Sequence, residues 1–220
     1  MQFSYSLIQQ FLTCPRQYYE MKVAKNYKDT PNEKTIYGRA VHKAIEDYIK
    51  TDTKMPSNYG EFAKTVDKVR AVLPDNKGDA EVRLAVDGEM NPVPYFDPSV
   101  VMRGIIDFLV IEKDVAWMVD WKLGNEFYAD HKQLDMLALL IFYCYPQIKL
   151  VKSFLMFLPN NHFLPNADRE RNDIPAIWEK FSTPLTRMAF AHKTGQWPEN
   201  PSGLCRKHCP VLSCQYNGRR

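Results

Sequence analysis

The sequence predicts an α/β fold, a mixed sheet flanked by helices in a single domain. Three observations predict it. Apolar residues recur at helical spacing between residues 4 and 73. From residue 80 the period falls to two, and three strand-like segments follow. Helical and strand-like patterns then alternate before a proline-bearing tail. The chain has 220 residues, enough for one substantial core. Its 45% hydrophobic and 25% charged residues are the balance of an ordinary globular protein.

The elements follow in order. The stretch "SYSLIQQFLTCPRQYYEMKV" opens with serines suited to capping a helix, and Leu7, Ile8, Phe11 and Leu12 then form its apolar face. Pro15 ends or kinks that helix. Residues 37–50, "YGRAVHKAIEDYIK", read as a second helix with a stripe of Val41, Ala44, Ile45, Tyr48 and Ile49. Residues 60–73 read as a third. Residues 80–86 are a strand, and "DGEMNPVPYFDPS" is a loop with three prolines. Residues 100–111 and 115–123 are two long strands separated only by "EKD", hence an antiparallel hairpin. Residues 129–145 are apolar almost all round, a buried helix. Residues 149–158 return to a strand, 173–194 to a helix, and the last 25 residues are loop-rich.

Some classes are set aside. The longest apolar run, "MLALLIFYCY", is too short to span a bilayer, so no membrane partner is expected. "MQFSYSLIQQF" lacks the basic and apolar regions of a secretory signal, so a cytoplasmic location is expected. The net charge of +3 is mild, but it is unevenly placed. Residues 16–43 hold seven Lys or Arg against three acids, and the tail from Cys205 holds Arg206, Lys207, Arg219 and Arg220 with none. Such patches suit phosphates or a plain solvated surface equally.

The chemistry is concentrated in "GIIDFLV" and "MVDWKLG". Residues i and i+2 of a strand share a face, so Asp120 and Lys122 project together. Asp107 is expected to share its face with Ile105 and Leu109, while Ile106, Phe108 and Val110 point the other way. If the strands pair, Asp107 and Asp120 meet, and two carboxylates held together call for a divalent cation. From the residues alone, a buried Asp–Lys ion pair of purely structural purpose explains the pattern equally well.

Taken in order, the motifs resemble the PD-(D/E)xK nuclease superfamily, and within it the RecB-like branch. They are the Ser-x-Ser helix ending in Cys-Pro and aromatics, Gly38 to His42 in "GRAVH", Asp107 in "GIID", Asp120 and Lys122 in "VDWK", and Gln133 in "HKQLDMLALL". The relatives resembled include CRISPR-associated RecB-like exonucleases, the AddAB nuclease domain and small phage exonucleases. The resemblance implies a restriction-endonuclease-like core at 37–195, an N-terminal helical segment at 1–36 and a cysteine-bearing tail at 196–220. It implies a Mg²⁺ or Mn²⁺ held by His42, Asp107, Asp120 and the backbone carbonyl of Trp121. Lys122 would position the attacking water, and Gln133 would hold the lysine or the substrate backbone. Glu81 would be a second-shell acid or a ligand of a second metal. The activity implied is hydrolysis of DNA, as an exonuclease at ends or on single strands, in recombination, repair or processing. Without a G-x-x-x-x-G-K-[ST] motif, the chain would act alone or beside a helicase or recombinase. A catalytically silent DNA-end-binding module of the same fold is the alternative. Two positions depart from the branch: Asp120 stands where Glu is commoner, and Leu137 where a Tyr often follows the Gln.

Cys205, Cys209 and Cys214 are spaced C-x3-C-x4-C, far from Cys14. The resemblance implies that these four hold a [4Fe–4S] cluster joining the chain ends. Four thiolates also suit Zn²⁺, with His208 able to replace one, and free thiols are the third reading. Cys144, within the apolar helix, reads as a small buried hydrophobe.

Overall fold

The computed structural model describes residues 1–28, 30–73 and 78–219, so Arg220 of the basic tail lies outside the described residues. The chain divides into two compact units. One comprises Phe3–Pro31 and Trp178–Arg220, and the other Asn32–Ile177.

The larger unit holds the sheet. Helices α3 (Glu33–Thr51) and α4 (Gly60–Val72) precede strands β1 (Asp79–Val86), β2 (Met102–Glu112) and β3 (Val115–Lys122). Helix α5 (Lys132–Cys144) then leads to β4 (Leu150–Phe157), β5 (His162–Pro165) and β6 (Arg169–Glu170). The order is β1-β2-β3-β4-β5, with β6 paired to β4. All pairs are antiparallel except β3–β4, the parallel pair that α5 connects. It is a six-stranded mixed sheet flanked by helices. Helices α3 and α4 bury Val41, Ala44, Ile45, Phe62, Val66 and Val69 against Phe108, Val110, Val119 and Trp121 of the sheet. Helix α5 is buried from Leu134 to Phe142, as its all-round apolarity predicts. Gly104 lets it approach: a Cβ there would lie 2.5 Å from Leu137 Cδ2 and 2.9 Å from Leu140 Cδ1.

Helix α3 begins four residues before the predicted start. Asn32 caps it, its side chain accepting the Thr35 N–H at 2.9 Å, and the exposed first turn carries no apolar stripe to announce it. Strands β5 and β6 were not anticipated, because both are short and mostly exposed.

In the smaller unit, Ser4 caps α1 (Tyr5–Thr13) and accepts the Leu7 N–H. Cys14 follows in extended conformation, and Pro15 starts α2 (Pro15–Tyr18), which continues into a π-helical turn at Tyr19–Val23. Pro15 therefore ends one helix and opens another, since at a first turn its missing N–H costs nothing. Helix α6 (Ile174–Thr194) and the short α7 (Leu204–Lys207) complete the chain. No described helix is long and apolar enough to cross a membrane.

Candidate metal centre

The centre forms where the β2–β3 hairpin opens. Pairing runs from Glu112↔Val115 to Phe108↔Val119. Beyond that point β2 keeps only β1, and the end of β3 keeps only β4. Asp107 and Asp120 are the next opposed residues. There the Asp107 carboxylate, not a backbone carbonyl, accepts the Trp121 N–H at 2.8 Å. The gap in the ladder is filled by a functional side chain.

A second gap lies beside it. The β1–β2 ladder pairs Ala80 with Phe108 and Val82 with Ile106, but omits Glu81 and Asp107. Glu81 has φ 51°, in the left-handed region. This costs a residue with a Cβ about 1–2 kcal/mol, and such strain clusters at functional sites. The strict alternation expected for β2 does not run through this point. Phe108 packs against α3 and α4, whereas Gly104, an even number of residues away, faces α5. The strand turns over between them, and that correction bears on Ile106: it does not simply share the face of Phe108.

The side chains fall into two adjoining groups. In the first, His42 Nδ1 lies 3.5 Å from Asp107 Oδ1 and 3.9 Å from Glu81 Oε1. The three residues offer one ligand atom each, all within 4.8 Å of one another. Helix α3 supplies His42 from the border of its buried face, beside Val41. In the second group, Lys122 Nζ lies 2.6 Å from Asp120 Oδ2. Gln133 Nε2 donates to Asp120 Oδ1 at 2.8 Å, and Lys122 Nζ donates to Gln133 Oε1 at 3.1 Å. Gln133, in the first turn of α5, thus fixes both members of the Asp-x-Lys pair. Leu137, one turn on, packs over Gly104.

Asp120 is the most deeply buried of these groups, with 4% of its side chain exposed. Burial pushes its carboxyl up to about 6, helped by the Asp107 charge and opposed by Lys122. Its Oδ2 accepts no well-directed hydrogen bond despite the close ammonium. Burial and the Asp107 charge also raise Glu81. For His42, burial pulls downward, but hydrogen bonding to Asp107 and the charges of Asp107, Asp120 and Glu81 raise it overall. A cluster of acids that suppress one another's ionisation, with an imidazole drawn toward its cationic form, is one that a cation would relieve. Two carboxylates and one imidazole are a donor set for a divalent cation. Glu81, expected as a second-shell acid or a ligand of a second metal, lies in the first group. No motif spacing signals this, because the cause is its backbone conformation. Trp121 enters this region through its N–H, while its indole is buried and stacks on Phe108 with centroids 6.2 Å apart.

The four cysteines of the other unit, Cys14, Cys205, Cys209 and Cys214, line one pocket. None is in a disulfide. Backbone N–H groups of Asn200 and Ser202 point at the sulfurs of Cys14 and Cys205, at 3.5 and 3.4 Å. Among the described residues, no three cysteine sulfurs lie within 4.8 Å of one another. The turn after Cys214, whose signal in the sequence is the dipeptide Asn217-Gly218, holds this tail. Asn217 is buried and donates to the carbonyls of Cys209 and Val211 at 3.0 and 2.9 Å. The Asn217 and Gly218 N–H groups donate to the carbonyls of Cys214 and Cys205, each at 3.0 Å. All three cysteine carbonyls are thus satisfied by this turn. A Cβ at Gly218 would stand 2.9 Å from the Arg206 backbone. Cys144 belongs to neither group: its thiol donates toward the Ala85 carbonyl, and burial pushes it up to about 11.

Comparison with known proteins adds three findings. The family described as the PD-(D/E)XK nuclease superfamily matches residues 2–86, a stretch that contains Cys14, His42 and Glu81 and ends before Asp107. No curated protein matches the chain. A solved structure titled "Crystal structure of SSO0001" matches with 14% identity and a TM-score of 0.42, over 97% of this chain and 85% of the other. The mixed sheet flanked by helices is consistent with the nuclease fold of that superfamily, whose match is confined to the first 86 residues.

Proposed function

We propose that the protein is a divalent-metal-dependent deoxyribonuclease of the PD-(D/E)xK superfamily, in its RecB-like branch. One observation carries this reading: His42, Glu81 and Asp107 converge within 4.8 Å, beside the buried Asp120–Lys122–Gln133 group. His42, Glu81, Asp107 and Asp120 are the residues that would hold Mg²⁺ or Mn²⁺. Bound there, the ion supplies charge stabilisation at a phosphate oxygen and acidifies a water. Lys122 is the one cation of the second group, and 30% of its side chain is exposed, so its ammonium is able to orient a water. Gln133 holds that ammonium and the Asp120 carboxylate at a fixed separation. In the hydrolysis, water adds to phosphorus, a phosphodiester P–O bond breaks, and the departing oxygen takes a proton. Action on DNA ends or single strands, in recombination or repair, is the form of the activity we favour, by resemblance.

The test is cleavage of end-labelled single- and double-stranded DNA with Mn²⁺, compared with Lys122→Ala. Loss of one water-orienting group is expected to slow cleavage by at least about 100-fold. Equal cleavage by the variant would sink the assignment, and binding without cleavage by the parent would favour a silent DNA-end-binding module.

We further propose that Cys14, Cys205, Cys209 and Cys214 hold a [4Fe–4S] cluster. Their sulfurs share a pocket, those of Cys14 and Cys205 receive backbone N–H groups, and among the described residues no three of the sulfurs lie within 4.8 Å of one another. When bound, the group would supply covalent cross-links between distant segments of the smaller unit. Protein purified without oxygen is expected to carry about four irons and to absorb at about 400 nm, and Cys14→Ser to lose both signals. Stoichiometric zinc in iron-free protein would show the other occupant.

A further inference from the structure

We infer that Arg83, Arg103 and Phe96 form a binding surface for a single nucleic-acid strand, extending from the acid cluster. The inference rests on the nuclease reading for its choice of ligand, and its geometry is separate. Arg83 lies on β1 and Arg103 on β2, and both meet the loop that joins these strands. The Arg83 guanidinium is 5.9 Å from the Tyr95 ring centroid and 6.0 Å from that of Phe96. The Arg103 guanidinium is 5.0 Å from Tyr95, and its Nη1 donates to the Tyr95 carbonyl at 3.5 Å.

Among the described residues, neither arginine is paired with a carboxylate. The acids of the loop are engaged by their own turns. Asp87 accepts the Glu89 and Asn91 N–H groups, both at 2.9 Å. Asp97 accepts the Ser99 N–H and hydroxyl at 2.8 and 2.6 Å. Both guanidinium groups are therefore held by aromatic faces and not by ion pairs, which leaves their N–H groups able to meet a phosphate. Phe96 stands beside them, edge-to-face with Tyr95 at 5.0 Å between ring centroids, yet 75% of its surface is exposed.

The position suits a strand whose scissile phosphate lies at the acids. Arg83 is two residues from Glu81 on β1, about 7 Å, and Arg103 four from Asp107 on β2, about 13 Å. Guanidinium groups bind phosphates, and an exposed phenyl ring accepts any unpaired base by stacking. No motif announces this surface, because its charges are on separate strands and its aromatics lie in a proline-rich loop.

The test is binding of a labelled single-stranded oligonucleotide without divalent metal, across 50–200 mM salt, with Mn²⁺-dependent cleavage by the same preparations measured in parallel. Removing two phosphate contacts in Arg83→Ala/Arg103→Ala should make the slope of log affinity against log salt shallower by about 1.4. Binding at low salt should weaken about tenfold or more. Arg83→Lys/Arg103→Lys keeps the charge and should retain the slope. Phe96→Ala should weaken single-strand binding about tenfold at unchanged slope. A double alanine variant with wild-type affinity and slope overturns the surface, and if that protein also cleaves normally, the nuclease reading stands alone. If the parent protein binds but never cleaves, and the alanine variant loses binding, the surface stands and the nuclease reading falls. No binding by the parent protein overturns the surface. If the double alanine variant does not fold, the lysine and Phe96 variants decide.

Discussion

Asp120→Asn is expected to abolish metal-dependent cleavage while making the metal-free protein more stable. The two effects have one cause. Asp120 is buried between the Asp107 carboxylate and Lys122, and its carboxyl is held at about 6 against an ordinary 3.8. Even with the ammonium at 2.6 Å, the ionised form is worse off here than in the unfolded chain. The sign follows from linkage. A carboxyl whose folded value is raised penalises the native state at high pH. The penalty fades as pH falls through about 6 and is gone below the unfolded value. That difference corresponds to at most about 3 kcal/mol. Asparagine keeps the shape and the Oδ1 that accepts from Gln133, and carries no charge. Denaturant unfolding in the presence of a chelator should therefore show the variant ahead by about 1–3 kcal/mol at pH 7.5, with the difference shrinking toward pH 4.5. Cleavage with Mn²⁺ at pH 7.5 should fall by about 1,000-fold or more, since a neutral amide is a poor metal ligand. A variant that is less stable at pH 7.5 would mean that the Lys122 pair outweighs burial, and Asp120 would then read as a structural ion pair.

The same residues show what the sequence could and could not disclose. Asp120, Lys122 and Asp107 were legible because charge within a strand is costly and needs a reason. The sequence placed Asp107 and Asp120 together on condition that the strands pair; the two-residue link of Lys113 and Asp114 makes that pairing tight and leaves little choice of register. Gln133 was legible only by resemblance. Its bonds to both Asp120 and Lys122 depend on how α5 packs over the sheet, and Gly104 sets that distance. The opening of the hairpin beyond Phe108 and Val119 was not legible. Period-two reasoning assumes that pairing continues, and here a carboxylate replaces the ladder hydrogen bond. In the cysteine tail Asn217-Gly218 signals a turn, but not what it holds, because Asn217 acts through backbone carbonyls that any sequence would possess.

Glu81 carries the second large expectation, because two costs meet in it. Its backbone is left-handed at φ 51°, and its carboxyl is raised by burial and by the Asp107 charge. Substitutions separate them. Glu81→Gln removes the charge and keeps the backbone strain. Glu81→Gly removes both, gaining about 1–2 kcal/mol from the backbone against about 0.5–1 kcal/mol of added chain entropy. Both variants should unfold at higher temperature than the parent without metal, with glycine the higher by a few degrees at most. If Glu81 is one of three ligand atoms that converge with His42 and Asp107, both should also bind Mn²⁺ at least about tenfold more weakly. Calorimetric titration with Mn²⁺ reads that loss directly, without reference to cleavage. Higher thermal stability with unchanged Mn²⁺ affinity would place Glu81 outside the metal's ligands, and lower stability in the glycine variant would mean that the left-handed backbone is no burden. The expected pairing of gain and loss explains why a strained residue persists here: the conformation that costs the fold is the one that brings this carboxylate to His42 and Asp107.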